Sequence, residues 1–328
     1  MAITTTTNFS EPVKALYNAA ALQAFTEKGQ FWRSATIREV ALGEGATGKG
    51  KSAVFDLWSS SAVSTAPLDE SADGTATTLS MNQVEVPVDE FGNYVQTTRK
   101  LRLTHYGEPE EHAAWNMGQM ASDTLDILAR GSLDAQTGAT WNDFAGSSTS
   151  INSIVVTDKL TAADIRAAFA DLRSKNVPPL DGGYYLCYIH PHVLKDLKDE
   201  TGDASWTKKE LYAGERIEPI LDEVGTFEGF RFVMSTNCKL DSKAGAGTTT
   251  GAVSADVYST YFVGQDALGF ARSGDVPSIE ISEPAIGPGD AFKRFQVISW
   301  YALCGFKALQ DDALFKVHSS SSLAENGS

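Results

Sequence analysis

The chain has little cysteine: three in 328 residues, Cys187, Cys238 and Cys304. An odd, sparse and widely spaced set is no disulfide framework, and it reads as buried thiols in a reducing compartment. Positive charge is also scarce, with 27 Lys+Arg against 42 Asp+Glu and a formal net charge of −15. That balance argues against tight charge-driven binding to a phosphate backbone and suits a protein that must stay soluble. Long apolar runs are missing. The longest, Val297 to Phe306, is interrupted by Ser299 and falls far short of the roughly 20 residues that cross a bilayer. The opening MAITTTTNFSEPVKALYNAA has neither a basic start nor an apolar stretch. No secretory leader and no membrane partner are therefore expected, and the protein is read as soluble and made in a cytoplasm.

Apolar residues make up 42% and charged residues 21%, which excludes wholesale disorder. The length predicts about two structural units with a sizeable core. Near the start, Leu16, Ala19, Ala20 and Gln23 share one helical face, and Phe25, Phe31 and Trp32 follow. These rings need something to pack on: either the same chain or a neighbouring subunit. Thr36–Leu42 and Ala53–Trp58 read as strands, and 59–78 as a Ser/Thr/Ala/Asp-rich exposed loop around Pro67. Met81–Val88 and Tyr94–Thr97 alternate with period two, with Glu90–Asn93 as the turn between them. Residues 108–134 predict a long helix, with Pro109 in its first turn, a stripe of Ala114, Met117, Ala121, Leu125 and Leu128, and Gly131 and Gly138 marking its end. From His105 to Ala135 this stretch carries six acids and one base, so the helix is strongly acidic.

Further along, Ile151–Val156 reads as a strand. Thr161 and Asp164 form a capping-box-like helix start. The helix behind it buries Ile165, Ala168, Phe169 and Leu172. Tyr184–Ile189 is a fully apolar strand, and Val193, Leu194 and Leu197 mark another helix. Leu211–Tyr212 reads as a further turn. Phe230–Met234, Tyr258–Val263 and Ser278–Ile286 read as strands. Phe295–Leu309 is a last large apolar and aromatic element, followed by Ala313–Val317 and a polar tail expected to be mobile. Helices segregated from mostly antiparallel strands make the class α+β.

Gly45-Ala-Thr-Gly-Lys-Gly-Lys-Ser52 matches G-x-x-x-x-G-K-[ST], the phosphate-cradling loop of nucleotide-binding enzymes. Such a loop needs a buried strand before it and a substantial helix after it. Arg38 and Glu39 interrupt the first, and the β-branched, aromatic 53–58 does not supply the second. A flexible lysine-bearing loop is the better reading, and a P-loop enzyme the alternative. His190-Pro191-His192 with nearby Cys187 has the look of a metal pair, but Asp196 is the only acid in reach. Cys187 sits among apolar residues, which suits an inert thiol. No catalytic constellation, metal site or cofactor is expected.

The order of the pieces carries a resemblance. GGYYLCYIHPHVLKDLKDETGDASWTKKELYAGE, then FEGFRFVMSTNC with DVYSTYFVGQDALGFA, then IGPGDAFKRFQVISWYALCGFKALQDDALFKVHSS, is similar to the major capsid proteins of tailed double-stranded DNA phages. That fold is shared with the herpesvirus shell protein. The resemblance implies an N-terminal arm (1–34), an extended E-loop with flanking P-domain strands (35–104), a P-domain with spine helix (105–160), an A-domain (161–270), a P-domain return (271–318) and a mobile tail (319–328). It implies self-assembly into hexamers and pentamers of an icosahedral shell around the genome, in a virion made in the host cytoplasm. Scaffolding, portal and decoration proteins are the partners the family admits.

On this reading Phe25, Phe31, Trp32, Lys49, Lys51, Asp69, Glu70 and Asp73 are candidate subunit-interface residues. Glu110, Glu111, Asp123 and Asp126 are candidates for an acidic inner surface that repels DNA. Some family members cross-link an E-loop lysine to a P-domain asparagine. From Ala271 to Val317 this chain has no asparagine, so non-covalent contacts are expected. A surface adhesin, suggested by the Thr/Ser/Gly loops, is a third reading, weakened by the missing leader and lone cysteines.

Overall fold

The computed structural model of the chain describes residues 19–26, 29–40, 52–58, 63, 65, 77–104, 107, 109–136, 142–180, 183–200, 206, 222–246, 254–282, 290 and 292–323. The elements begin with helix α1 (19–26), a 3-10 turn (Phe31–Ser34), β1 (Thr36–Glu39), β2 (Ser52–Trp58), β3 (Met81–Pro87) and β4 (Asp89–Thr98). Helices α2 (Arg99–Thr104) and α3 (Pro109–Asp134) follow, then β5 (Asn142–Phe144), α4 (Ala162–Ser174), β6 (Tyr185–Ile189) and α5 (Pro191–Asp199). The rest is strand: β7 (Glu223–Phe227), β8 (Phe230–Met234), β9 (Leu240–Asp241), β10 (Val257–Val263), β11 (Leu268–Ile281), β12 (Phe295–Ala308) and β13 (Leu314–Ser319).

A first sheet has the order β1-β11-β12-β4. Its spine is the β11–β12 hairpin, paired antiparallel from Leu268↔Ala308 to Ile281↔Ile298, with a register shift between Ser273 and Ser278. Strand β12 alternates as a half-buried strand should, covering Ile298, Trp300, Ala302 and Cys304. Helix α3 packs against β12, β4 and β11. Its buried stripe is rich in small residues: Ala114, Met117, Gly118, Ala121, Leu125, Ala129 and Leu133. Gly118 has a specific reason, since a Cβ there would collide with the Ala21 carbonyl where α1 crosses.

A second sheet runs β5-β13-β10-β6-β8-β7, with β9 beside β10. Strands β6 and β10 are buried along their whole length, which is why both read as continuous apolar runs. Helix α3 ties the two sheets together. The Lys316 ammonium on β13 donates to the carbonyls of Leu133 (3.4 Å), Asp134 (3.5 Å) and Gln136 (2.6 Å). A cation there satisfies orphan carbonyls and complements the negative helix end. The Tyr261 hydroxyl on β10 donates to Asp134 at 2.6 Å. One contiguous hydrophobic core spans both sheets and the helices α3, α4 and α5.

Several expectations hold. Thr161 caps α4 and makes the reciprocal capping box with Asp164, and all three cysteines are free and buried. Others need correction. Glu90–Asn93 is no turn: β4 is continuous, with Gly92 opposite Tyr301, and the break falls at Pro87–Val88, where proline cannot serve a central ladder. Ile151–Val156 is not a strand but a 3-10 turn, Ile151–Ser153, followed by irregular backbone. The long helix runs through Gly131 to Asp134. Helix α1 buries Ala21, Ala24 and Phe25 rather than a face containing Ala19 and Gln23. Leu16 and Leu211–Tyr212 lie outside the described residues.

The boundary expected between 270 and 271 cuts through β11, and β13 joins the second sheet rather than a P-domain return. Nor is 319–323 loose. Ser319, Ser320 and Ser321 are fully buried. Asp196 accepts hydrogen bonds from Ser321 Oγ (2.9 Å) and the Ser322 amide (2.6 Å). Burial raises the Asp196 carboxyl, but the Ser322 and Ser321 donors and Lys159 outweigh it and hold its pKa at about 2.

Candidate assembly surface

Strands β2 and β3 form a two-stranded ribbon of their own, paired from Ser52↔Pro87 to Trp58↔Met81. Two strands alone are marginal in water. This ribbon is rooted at one end. Ala53, Phe55 and Val86 form a small second core with Ala271 and Leu309 of the first sheet and its edge. The Arg38 guanidinium lies 5.8 Å from the Phe55 ring centre and 4.0 Å from Asp56. Lys307 Nζ donates to the Glu85 carbonyl at 3.0 Å. Gly305 lets the Pro87 carbonyl settle on β12, a place any Cβ would block.

Burial fades towards the other end. Trp58 is 65% exposed, Met81 43%, Leu79 74% and Val63 87%. Side chains of this size gain about 1.5–3 kcal/mol each when covered. Exposed apolar side chains grouped in this way are of the kind that interaction surfaces carry.

The sequence-derived candidates fall in three groups. Phe25, Phe31 and Trp32 are packed inside their own chain. Phe31 is fully buried, stacked on Tyr188 (4.3 Å between ring centres) and edge-on to Tyr261 (5.4 Å), and Phe25 stacks on Trp32 at 5.1 Å. Intramolecular docking thus accounts for these rings. Lys49, Lys51, Asp69, Glu70 and Asp73 lie outside the described residues.

Of the helix acids, Glu111 is exposed, and Glu110 and Asp123 are partly so. Asp126 is on no surface. It is fully buried and accepts from the amides of Gln30 (2.8 Å) and Phe31 (2.6 Å) and from the Asn237 side chain (3.0 Å). Burial pushes its carboxyl above the usual range, against the pull of those donors. The helix acids are therefore split between surface and core, because the turn at 30–32 needs an acceptor for its orphan amides.

The phosphate-loop pattern ends at Ser52, which opens strand β2. A P-loop needs a helix there to aim its amides at phosphate, so the nucleotide-binding alternative is not supported. His190 caps α5, accepting from the His192 amide at 3.2 Å, and His192 Nδ1 sits 2.9 Å from the Tyr258 hydroxyl. Burial, then His192, lowers the His190 pKa to about 4. Burial drives the Cys187 thiol well above its ordinary value. Among the described residues no group of three or more His, Cys, Asp or Glu is placed to hold a metal.

Sequence reasoning missed the ribbon tip. The signal was there in the large apolar residues Trp58 and Met81 at the outer ends of two alternating runs.

No protein-family model and no curated protein matches the sequence. Solved structures do. The capsid of Ralstonia phage GP4 superposes with a TM-score of 0.72 at 16% identity, over 90% of this chain and 92% of that one. The capsid of cyanophage P-SCSP1u gives 0.63 at 16%, over 90% and 89%. The capsid of Helicobacter pylori bacteriophage KHP30 gives 0.62 at 14%, over 90% of each. The chain therefore has the mixed helix-and-sheet fold of tailed-phage capsid structures, along nearly its whole length.

Proposed function

We propose that the chain is a major capsid protein that assembles with copies of itself into hexamers and pentamers of an icosahedral shell around double-stranded DNA. One observation carries the reading beyond fold: the rooted ribbon presents Trp58, Leu79 and Met81 to solvent, away from its own core. A self-sufficient monomer has no use for that arrangement, whereas a copy in a shell has a neighbour to cover it. The net charge of −15 fits a protein that encloses DNA without binding it. A virion location and assembly in the host cytoplasm go with the reading, as do scaffolding, portal or decoration partners. The role is structural rather than enzymatic.

The shell is held by non-covalent contacts on this proposal, with Lys49 and Lys51 making charged contacts to an adjacent copy. Electron microscopy of the purified protein should show rings or closed shells, and denaturing gels of those particles should show single chains. Monodisperse monomers at high concentration would refute assembly, and covalent ladders would refute the non-covalent shell.

A further inference from the structure

Most free edges of the described sheets are guarded. Strand β1 has four residues and β5 three, β7 carries a bulge, and β3 ends on Pro87. Strand β2 receives the Arg38 guanidinium on its Val54 carbonyl. Short strands, bulges, prolines and charges are the devices that keep sheet edges from pairing with other chains. From Phe91 to Thr98, strand β4 has none of them. It runs for ten residues without proline, and its stretch FGNYVQTT is uncharged. It pairs with β12 from Asp89↔Cys304 to Thr98↔Phe295 without a break in register. It is the last strand of its sheet, so among the described residues its other side has no strand partner.

The ladder sets the direction of the free backbone groups. The Arg99 amide donates to the Arg294 carbonyl at 2.7 Å, continuing the β4–β12 register by one residue. Backbone groups alternate between the two sides of a strand. Odd-numbered residues of β4 therefore turn theirs to β12, and Glu90, Gly92, Tyr94, Gln96 and Thr98 turn theirs outward. The Tyr94 amide agrees: it donates locally to the Asn93 side-chain oxygen at 2.8 Å rather than to a strand.

We propose that β4 pairs antiparallel with β4 of a second copy about a two-fold axis at Tyr94, joining two four-stranded sheets into one of eight strands. The proposal rests on the self-assembly reading and names one of its contacts. The order of charge along the strand selects the occupant. Asp89 and Glu90 open β4, and Arg99 and Lys100 follow its end, all four exposed. Glu90 accepts from the Tyr301 hydroxyl in its own chain. Among the described residues, no ion-pair partner stands beside Asp89 or Arg99. Antiparallel pairing brings the acidic end of each copy to the basic end of the other, whereas parallel pairing sets like charges together. Since only the even-numbered residues can exchange hydrogen bonds across the edge, pairing along the full length fixes the register. Tyr94 faces Tyr94 of the second copy, Glu90 faces Thr98, and Asp89 faces Arg99. The Tyr94 ring, 64% exposed in the subunit, gains an aromatic cross-strand partner. The contact is isologous, so it closes as a pair instead of growing into a fibre.

The test places single cysteines on this edge of the full chain, whose own three thiols are buried. In the proposed register the two Tyr94 Cα atoms stand about 5.5 Å apart, within the span of a disulfide. The two Gln96 Cα atoms stand about 14 Å apart, beyond it. After mild oxidation of assembled particles, Tyr94→Cys should give at least about fivefold more disulfide-linked dimer than Gln96→Cys on non-reducing gels. Asp89→Arg should weaken dimerisation of the subunit by roughly three- to tenfold in sedimentation, and Asp89→Arg/Arg99→Asp should recover most of it. Should Tyr94→Cys melt early, Gln96→Pro serves instead. It removes an outward amide and leaves the β12 ladder whole, so it should weaken dimerisation while melting like the parent.

Particles in which Tyr94→Cys links no better than Gln96→Cys would overturn the contact and leave the shell reading standing. Tyr94-specific dimers from a parent that builds nothing larger would keep the contact and overturn the shell. A parent that stays monomeric would overturn both. Gln96→Pro that dimerises like the parent, or no recovery on reversing both charges, would also overturn the pairing.

Discussion

The second sheet and the β2–β3 ribbon are both built from strand-forming sequence, and they end in opposite environments. Strands β6 and β10 are covered on both faces, by neighbouring strands, by α4 and α5, and by rings such as Phe230, Phe232 and Phe262. Among the described residues, the ribbon is covered only at its root, by a handful of residues on the first sheet. The difference lies in topology rather than in residue type. A strand inside a six-strand path buries whatever it carries, while a two-stranded excursion buries only what touches its anchor. Stability of the subunit and stability of an assembly should therefore depend on different residues.

Mutation can separate the two. The largest effect is expected from Phe262→Ala on β10. Removing a fully buried ring should cost the subunit about 3–5 kcal/mol, read as an early unfolding midpoint in denaturant. A cost below about 1 kcal/mol would mean that the sheet is not the core described here.

Acid provides the next contrast. Burial, then the nearby Lys316 ammonium, holds the His318 pKa near 4. A base whose folded pKa lies below its unfolded 6.5 gives stability that is complete above about 6.5 and is lost as pH falls towards 4. That loss reaches about 3 kcal/mol for His318. His190 works in the same direction. Asp126, with its raised pKa, works in the opposite one: it favours the folded state as pH falls. The check is therefore a difference: His318→Gln should flatten the slope of stability between pH 6.5 and 4 relative to the parent.

The smallest effect on the subunit is expected at the ribbon tip. Trp58→Ala/Met81→Ala should shift the subunit's unfolding free energy by no more than about 0.5 kcal/mol. The same variant should assemble markedly worse, which pelleting at matched concentration would reveal. Equal assembly would detach the ribbon from any docking role.

Much of the fold was legible because its signals are local. The capping box of α4, the apolar run of β6 and the long amphipathic pattern of α3 are all set by neighbours in sequence. What escaped was set by distant partners. Strand β5, three residues long, exists because β13 offers it a parallel edge. Strand β7 pairs with β8 around a bulge at Val224 and carries no alternation to read. Gly92 looked like a turn residue, yet a Cβ there would meet the Trp300 carbonyl at 2.8 Å, so it is a close-approach glycine inside a strand. Asp126 looked like one more surface acid. Its burial depends on amides almost a hundred residues earlier, which no helical periodicity reveals. The tail serines looked mobile because they are polar, but Asp196 gathers them.

The central claim is that the ribbon tip is bare in the subunit and covered in the assembly. Hydroxyl-radical footprinting of Trp58 and Met81, in dissociated subunits and in assembled particles of the same preparation, tests it directly. The account predicts ready oxidation of both side chains in the subunit and strong protection in the particle, with fully buried Met117 protected in both. Equal oxidation of Trp58 and Met81 in the two states would contradict it.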